Sequence, residues 1–200
     1  MDIQNRPSYL KSYDNFVPGD YIQYSGQLWD EDELSSAVDA LLNGKWVVAG
    51  EKVAQFQNKF SKRFNVKHSL MVNSGSSANL VLITAMKKKF GWNDGDEIIV
   101  SPVGFPTTIA PIMQNGLVPV FIDIELDTLN LDLNHLEKVL DQNPDIRVLT
   151  FAHVLGNPPD MGRLTTMLDA YRIKTGREIL LLEDCCDALG TTYDGRPLGS

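Results

Sequence analysis

Asp184 and Asp187 follow four large aliphatic residues, Ile179-Leu180-Leu181-Leu182, with Glu183 between. Such a run reads as a buried strand leaving the core at its carboxyl end. Open parallel sheets bind ligands at that end, although solvated acids capping a strand have the same composition. A second stretch is Asn73-Ser74-Gly75-Ser76-Ser77-Ala78, small and polar, after a short apolar run and before a long apolar helix. Backbone N–H groups at a helix N-terminus, with serine hydroxyls beside them, suit an anion such as phosphate. An ordinary serine N-cap is the plain alternative. The loop has neither G-x-G-x-x-G nor a lysine-bearing P-loop, so a dinucleotide or nucleoside triphosphate is not its natural ligand. Phe105 falls just past another apolar run, where an aromatic either stacks on a flat ring or plugs the core. His153 ends a further run, before Gly156-Asn157-Pro158-Pro159; a lone histidine there is more often structural than catalytic.

The elements that must position these groups are legible from periodicity. Asp30 with Glu33 forms a capping pattern for a helix carrying Leu34, Val38, Leu41 and Leu42 on one face, ended by Asn43-Gly44. A second helix spans 51–64, and its Val53, Phe56, Phe60 and Phe64 stripe is most simply core packing. Then come a short strand over 69–72, a helix over 79–90, strands over 97–100, 118–123 and 147–153, and helices over 107–113, 131–140 and 161–172. The aliphatic strand over 179–182 closes the series. Alternating strand and helix predicts an α/β fold, a three-layer sandwich with a mostly parallel sheet. The near-continuous aliphatic strands predict that both sheet faces are covered. Residues 1–30, polar and broken by Pro7, Pro18, Gly19 and Gly26, read as an N-terminal arm, and 31–200 as the main domain.

Composition narrows the partners. The 200 residues are 43% hydrophobic and 22% charged, which is globular, and the formal net charge is -8. The longest basic run is Lys87-Lys88-Lys89, read as a solvated helix end, so neither nucleic acid nor an anionic membrane surface is indicated. The two cysteines, Cys185 and Cys186, are adjacent; they offer no disulfide framework and read as filler rather than as a metal or redox pair. No apolar run approaches the roughly 20 residues of a membrane span, and the N-terminus carries no signal-like apolar stretch. A cytoplasmic protein is expected, with no metal site among these residues.

In a parallel sheet all strand ends with candidate groups lie along one edge. Phosphate donors, a stacking aromatic and a strand-borne carboxylate together suit pyridoxal phosphate, whose ring nitrogen stays protonated against an acid. The sequence resembles the DegT/DnrJ/EryC1/StrS sugar aminotransferase family of fold-type I pyridoxal-phosphate enzymes. The resemblance rests on Gly44-Lys45-Trp46-Val47-Val48-Ala49-Gly50, Asn73-Ser74-Gly75-Ser76-Ser77-Ala78-Asn79, Gly95-Asp96-Glu97-Ile98-Ile99-Val100 with Phe105, and Glu183-Asp184-Cys185-Cys186-Asp187-Ala188-Leu189-Gly190. Within the family it is most similar to the 3-dehydrase branch, the CDP-4-keto-6-deoxyglucose form nearest. Asp187 stands where the aminotransferases usually carry His or Gln.

The resemblance implies the large domain of fold type I, incomplete at its C-terminus and without the small C-terminal domain. It implies pyridoxal or pyridoxamine phosphate held by Gly75, Ser76 and Ser77, with Phe105 stacked on the ring, Asp184 at the ring nitrogen and Asp187 near the ring's hydroxyl side. His153 is near the site without an assigned role. The catalytic lysine or histidine position is expected beyond Ser200, as is any cysteine cluster for an iron–sulfur centre. The 200 residues alone are therefore expected to show little turnover. The implied activity is 3-dehydration of a nucleotide-linked 4-keto-6-deoxyhexose for deoxysugar or lipopolysaccharide biosynthesis, or amino transfer to such a sugar. A homodimer, and a reductase partner for a CDP-sugar enzyme, are also implied.

Overall fold

The structure, a computed structural model, describes residues 17–20, 30–45, 48–143 and 145–200. The chain forms two compact units, Met1–Lys59 and Phe60–Ser200. The expected arm over 1–30 lies almost entirely outside the described residues.

Helix α1 (Glu31–Asn43) opens on the expected capping box. The Asp30 N–H donates to Glu33 Oε2 and the Asp32 N–H to Asp30 Oδ1, each at 2.8 Å, which satisfies N-terminal donors that the helix itself cannot. Its apolar stripe does not become core: Leu41 and Leu42 are 75% and 77% exposed. Helix α2 (Glu51–Arg63) also has no buried residue, and Phe56 is exposed. Of the stripe expected to pack as core, Phe56 thus departs, whereas Val53, Phe60 and Phe64 are half-buried and the Phe60 and Phe64 rings lie 4.5 Å apart. A 3.6-residue period tells which face is apolar but not what covers it.

The second unit is built on a four-stranded parallel sheet in the order β2-β1-β3-β4. The strands are β1 (Glu97–Val100), β2 (Val118–Phe121), β3 (Val148–Ala152) and β4 (Leu180–Asp184). The helices are α3 (Gly75–Phe90), α4 (Pro106–Gln114), α5 (Leu133–Gln142) and α6 (Met161–Thr175). From β1 the chain steps outward to β2, then returns across to β3 and continues to β4. Right-handed crossovers put a helix on opposite faces when the direction of travel reverses. Accordingly, α4 shares one face with α3, and α5 and α6 cover the other. Ile98, Val100, Val148 and Leu182 pack with Ile83 and Ile112 on the α3/α4 face. Ile99, Leu149 and Phe151 pack with Leu136, Leu140, Leu164 and Tyr171 on the α5/α6 face. The middle strands β1 and β3 are buried nearly throughout, whereas the edge strands β2 and β4 are half exposed. Coverage of both faces is therefore complete only at the centre.

Three local expectations change. Residues 69–72 are not a strand of the sheet: they run as irregular chain, with Leu70 73% exposed. A strand exists through its ladder, and apolar residues alone do not supply a neighbour. Helix α3 starts at Gly75 rather than Asn79, because Ser74 caps it and accepts from the Ser77 N–H at 3.2 Å. Strand β4 extends through Glu183 and Asp184. Beyond it, β5 (Thr192–Tyr193) and β6 (Arg196–Pro197) form a hairpin on Asp194-Gly195, both with positive φ, as a two-residue turn of the mirror-image type requires.

Lys87 is not the solvated helix end expected of it. Its ammonium reaches Asp94 and the Asn115 carbonyl, with its side chain 21% exposed. Gly116 closes this corner at φ +70°, and a Cβ there would stand 2.8 Å from Asp94 Oδ1, so the corner needs glycine on both counts.

Candidate active site at the carboxyl edge of the sheet

Side chains alternate along a strand. Leu180 and Leu182 face α3 and α4, so Asp184 does too, and Glu183 faces α5 and α6. The contacts agree. Asp184 Oδ2 accepts from Asn79 Nδ2 of α3 at 2.9 Å and from Thr108 Oγ1 of α4 at 3.0 Å. Asp184 Oδ1 accepts from the Cys186 N–H at 3.1 Å. The carboxylate is half-buried at the strand end. The reversal of chain direction places the sheet's topological switch between β1 and β3, where ligands of such sheets bind.

The N-termini of α3 and α4 meet at the same place. Ser76 Oγ donates to Thr107 Oγ1 at 3.0 Å. Ser76 and Ser77 are half-buried in the first turn of α3 and Gly75 is exposed at its start. A methyl on Gly75 would meet Cys186 Sγ at 3.7 Å, an ordinary contact, so packing does not demand glycine there. What it keeps is close access to the first-turn N–H groups. Phe105 is the N-cap of α4 and 68% exposed. It is not a core plug, which leaves its ring available for stacking. The structure thus brings Gly75, Ser76, Ser77, Phe105 and Asp184 to one sheet edge.

Asp187 stands slightly apart. It is exposed, and its Oδ2 accepts from the Leu155 N–H at 3.4 Å, in the short 3-10 turn Val154–Gly156 that follows β3. Leu155 is held at φ +55°, a costly conformation for a leucine. The next residue, Gly156, sits at φ +78°, where a Cβ would press on the Asp187 carbonyl at 3.2 Å.

His153 lies on the opposite face. It is wholly buried, its ring edge-on to Phe151, and its Nε2 donates to Glu183 Oε2 at 2.9 Å. Cys185 Sγ completes a group with His153 and Glu183 in which all ligand-type atoms lie within 4.8 Å. Burial, and then the neighbouring carboxylates of Glu183 and Asp184, push the Cys185 thiol up to about 11. His153 and Glu183 bind one another, and the Cys185 thiol lies beside them.

Sequence reasoning missed Asn79 and Thr108 as contributors. A signal was present. Asn79 stands four residues before buried Ile83, and Thr108 four before buried Ile112, so each is a polar residue on the sheet-facing stripe of its helix.

The family model described as the DegT/DnrJ/EryC1/StrS aminotransferase family matches residues 29–200. Lipopolysaccharide biosynthesis protein RfbH of Salmonella typhimurium is 38% identical over 190 residues, 92% of this chain and 41% of that protein. The dTDP-4-dehydro-2,6-dideoxy-D-glucose 3-dehydratase of Saccharopolyspora spinosa is 39% identical over 190 residues, 92% of this chain and 39% of that protein. Among solved structures, the E. coli GDP-4-keto-6-deoxy-D-mannose-3-dehydratase with bound hydrated PLP superposes with a TM-score of 0.79 at 34% identity, over 88% of this chain and 43% of that chain. The chain thus spans about two fifths of the length of these relatives.

Proposed function

This chain belongs to the DegT/DnrJ/EryC1/StrS aminotransferase family, and on that premise we propose that it serves the 3-dehydration of a nucleotide-linked 4-keto-6-deoxyhexose, using pyridoxal or pyridoxamine phosphate. Its fold is the parallel-sheet part of the fold-type I large domain. The observation that carries the proposal is Asp184, a half-buried carboxylate at a strand end, fixed by donors from the two helices whose N-termini flank it.

The residues fit the cofactor. Gly75, Ser76 and Ser77 offer first-turn donors for its phosphate, Phe105 an exposed face for its ring, and Asp184 an acceptor for its ring nitrogen. When bound, the cofactor supplies an electron sink for the substrate carbon. Asp184 holds the proton on the ring nitrogen that makes this sink effective. Asp187 would lie near the ring's hydroxyl side. His153, on the far face of the sheet, supports β4 and takes no chemical role.

The 3-dehydratase reading is favoured by the dehydratase names of relatives at 34–39% identity and by Asp187. Amino transfer to the sugar is the alternative, in keeping with the family's description. A homodimer and a cytoplasmic place belong to the same reading, as does a role in lipopolysaccharide sugar synthesis, which the name of one relative supports. No helix among the described residues is long and apolar enough to cross a membrane. A reductase partner would accompany a CDP-sugar enzyme. An iron–sulfur cluster takes about four thiolates, more than the adjacent Cys185 and Cys186 supply, so its ligands would come from outside these residues.

Calorimetry with pyridoxamine phosphate tests the proposal. Asp184→Ala is expected to weaken binding at least about 10-fold, the effect of a charge-assisted hydrogen bond. Equal binding by both proteins removes the role given to Asp184.

A further inference from the structure

Asp184 is held in an unequal way. Each carboxylate oxygen can accept about two hydrogen bonds. Oδ2 already receives two, from Asn79 Nδ2 at 2.9 Å and Thr108 Oγ1 at 3.0 Å. Oδ1 receives one from the protein, the Cys186 N–H at 3.1 Å, and can accept another. The amide nitrogen of Asn79, not its oxygen, must face an ionised carboxylate, so the orientation of this side chain is settled by charge.

The two donors occupy places where packing alone favours other residues. Asn79 begins its second helical turn in line with Ile83, where leucine or alanine is the better helix former. Thr108 is 6% exposed, above fully buried Ile112. Both are polar groups at the top of an otherwise apolar stripe, and both spend their donors on one oxygen. The Ser76–Thr107 bond at 3.0 Å ties the same two helix ends together, three residues before Asn79 on α3 and one before Thr108 on α4.

We propose that Asn79 and Thr108 are positioning residues that fix Oδ2 of Asp184, so that Oδ1 is the oxygen presented to the ring nitrogen of the cofactor. This inference rests on the cofactor assignment above. It adds that the orientation of the acid is imposed by α3 and α4, the helices whose first turns hold the phosphate-binding and ring-stacking residues. Phosphate and ring nitrogen are then gripped by one hydrogen-bonded frame spanning α3, α4 and β4.

The test uses the intact protein with pyridoxal phosphate and pyridoxamine phosphate as probes. Asn79→Leu and Thr108→Val keep the branched side-chain outline and remove the donor to Oδ2; Thr108→Ser keeps the hydroxyl. Calorimetry gives the affinity, and the pH titration of the bound cofactor's absorption reports ring-nitrogen protonation. Asn79→Leu and Thr108→Val are each expected to weaken binding about 10-fold and to move the ring transition to lower pH, with Thr108→Ser staying near wild type. A purely structural role would lower the melting temperature and leave the ring transition of the folded fraction in place, which overturns the inference. Unchanged affinity and titration in both variants also overturn it. If Asn79→Leu does not fold, the Thr108 pair decides alone. Wild type that binds neither probe instead removes the cofactor assignment on which the inference stands.

Discussion

Glu183 Oε2 accepts from His153 Nε2 at 2.9 Å and from the Gly199 N–H at 3.2 Å. One carboxylate oxygen thereby joins the end of β3, the end of β4 and the segment after β6. His153 is wholly buried and Glu183 17% exposed at the side chain, so removing the imidazole leaves a poorly hydrated acid without its main donor. His153→Ala is expected to lower unfolding free energy by about 3 kcal/mol, read from urea denaturation. His153→Ala within about 0.5 kcal/mol of wild type would contradict this account. Single residues were unevenly legible. Asp184 stood out as an acid after an aliphatic run. Asn79 and Thr108 did not, because their meaning lies in contacts spanning 105 and 76 residues of sequence, and nothing local to either position announces its partner.

Helix α6 shows how a sequence signal becomes an element with a pH signature. Asp160 is its N-cap, and Oδ1 accepts from the Arg163 N–H at 2.9 Å and from Tyr193 Oη at 3.1 Å. The backbone bond to Arg163, then the Tyr193 hydroxyl, hold its carboxyl below the usual aspartate range. A carboxyl depressed in the folded state binds its proton more readily in the unfolded chain. Its contribution is therefore complete above the ordinary aspartate pKa, about 4, and is lost as pH falls through the lower folded value. Asparagine caps about as well without the charge. Asp160→Asn is thus expected to lower the urea midpoint at pH 7, with the gap to wild type narrowing as pH falls below the ordinary aspartate range; a gap independent of pH would count against the assignment. Elements with a full period and a cap, such as α1, α5 and α6, were readable from the sequence within a few residues. The expected strand over 69–72 was not, because a strand needs a neighbour and a helix does not. The β5–β6 hairpin is too short for a two-residue period to register.

At the scale of the whole molecule, the reversal of chain direction between β2 and β3 carries the functional argument. It sets α3 and α4 against one face and sends β4 to the far side of β3, so that groups far apart in sequence share one edge. A parallel sheet, though not its strand order, was inferable from alternating strand and helix. What covers the outer surfaces was not. Leu41 and Leu42 on α1, and Leu70 and Met71 before α3, are each at least 50% exposed, apolar side chains of the kind that association covers when they cluster. The 200-residue chain is expected to self-associate. Sedimentation at tens of micromolar should give an average mass above the 22.3 kDa of one chain, and Leu41→Lys with Leu42→Lys should lower it. A single-chain mass at every concentration would contradict the expectation.

The adjacent thiols have a practical consequence. Cys185 is half-buried and its proton is held up to about 11, so near neutral pH almost none of it is in the form that attacks an electrophile. Cys186, one residue on, is exposed, and its sulfur lies beside the start of α3. The protein therefore carries an addressable attachment point, set by burial rather than by engineering, through which a fluorophore or spin label could be seated at the mouth of the site.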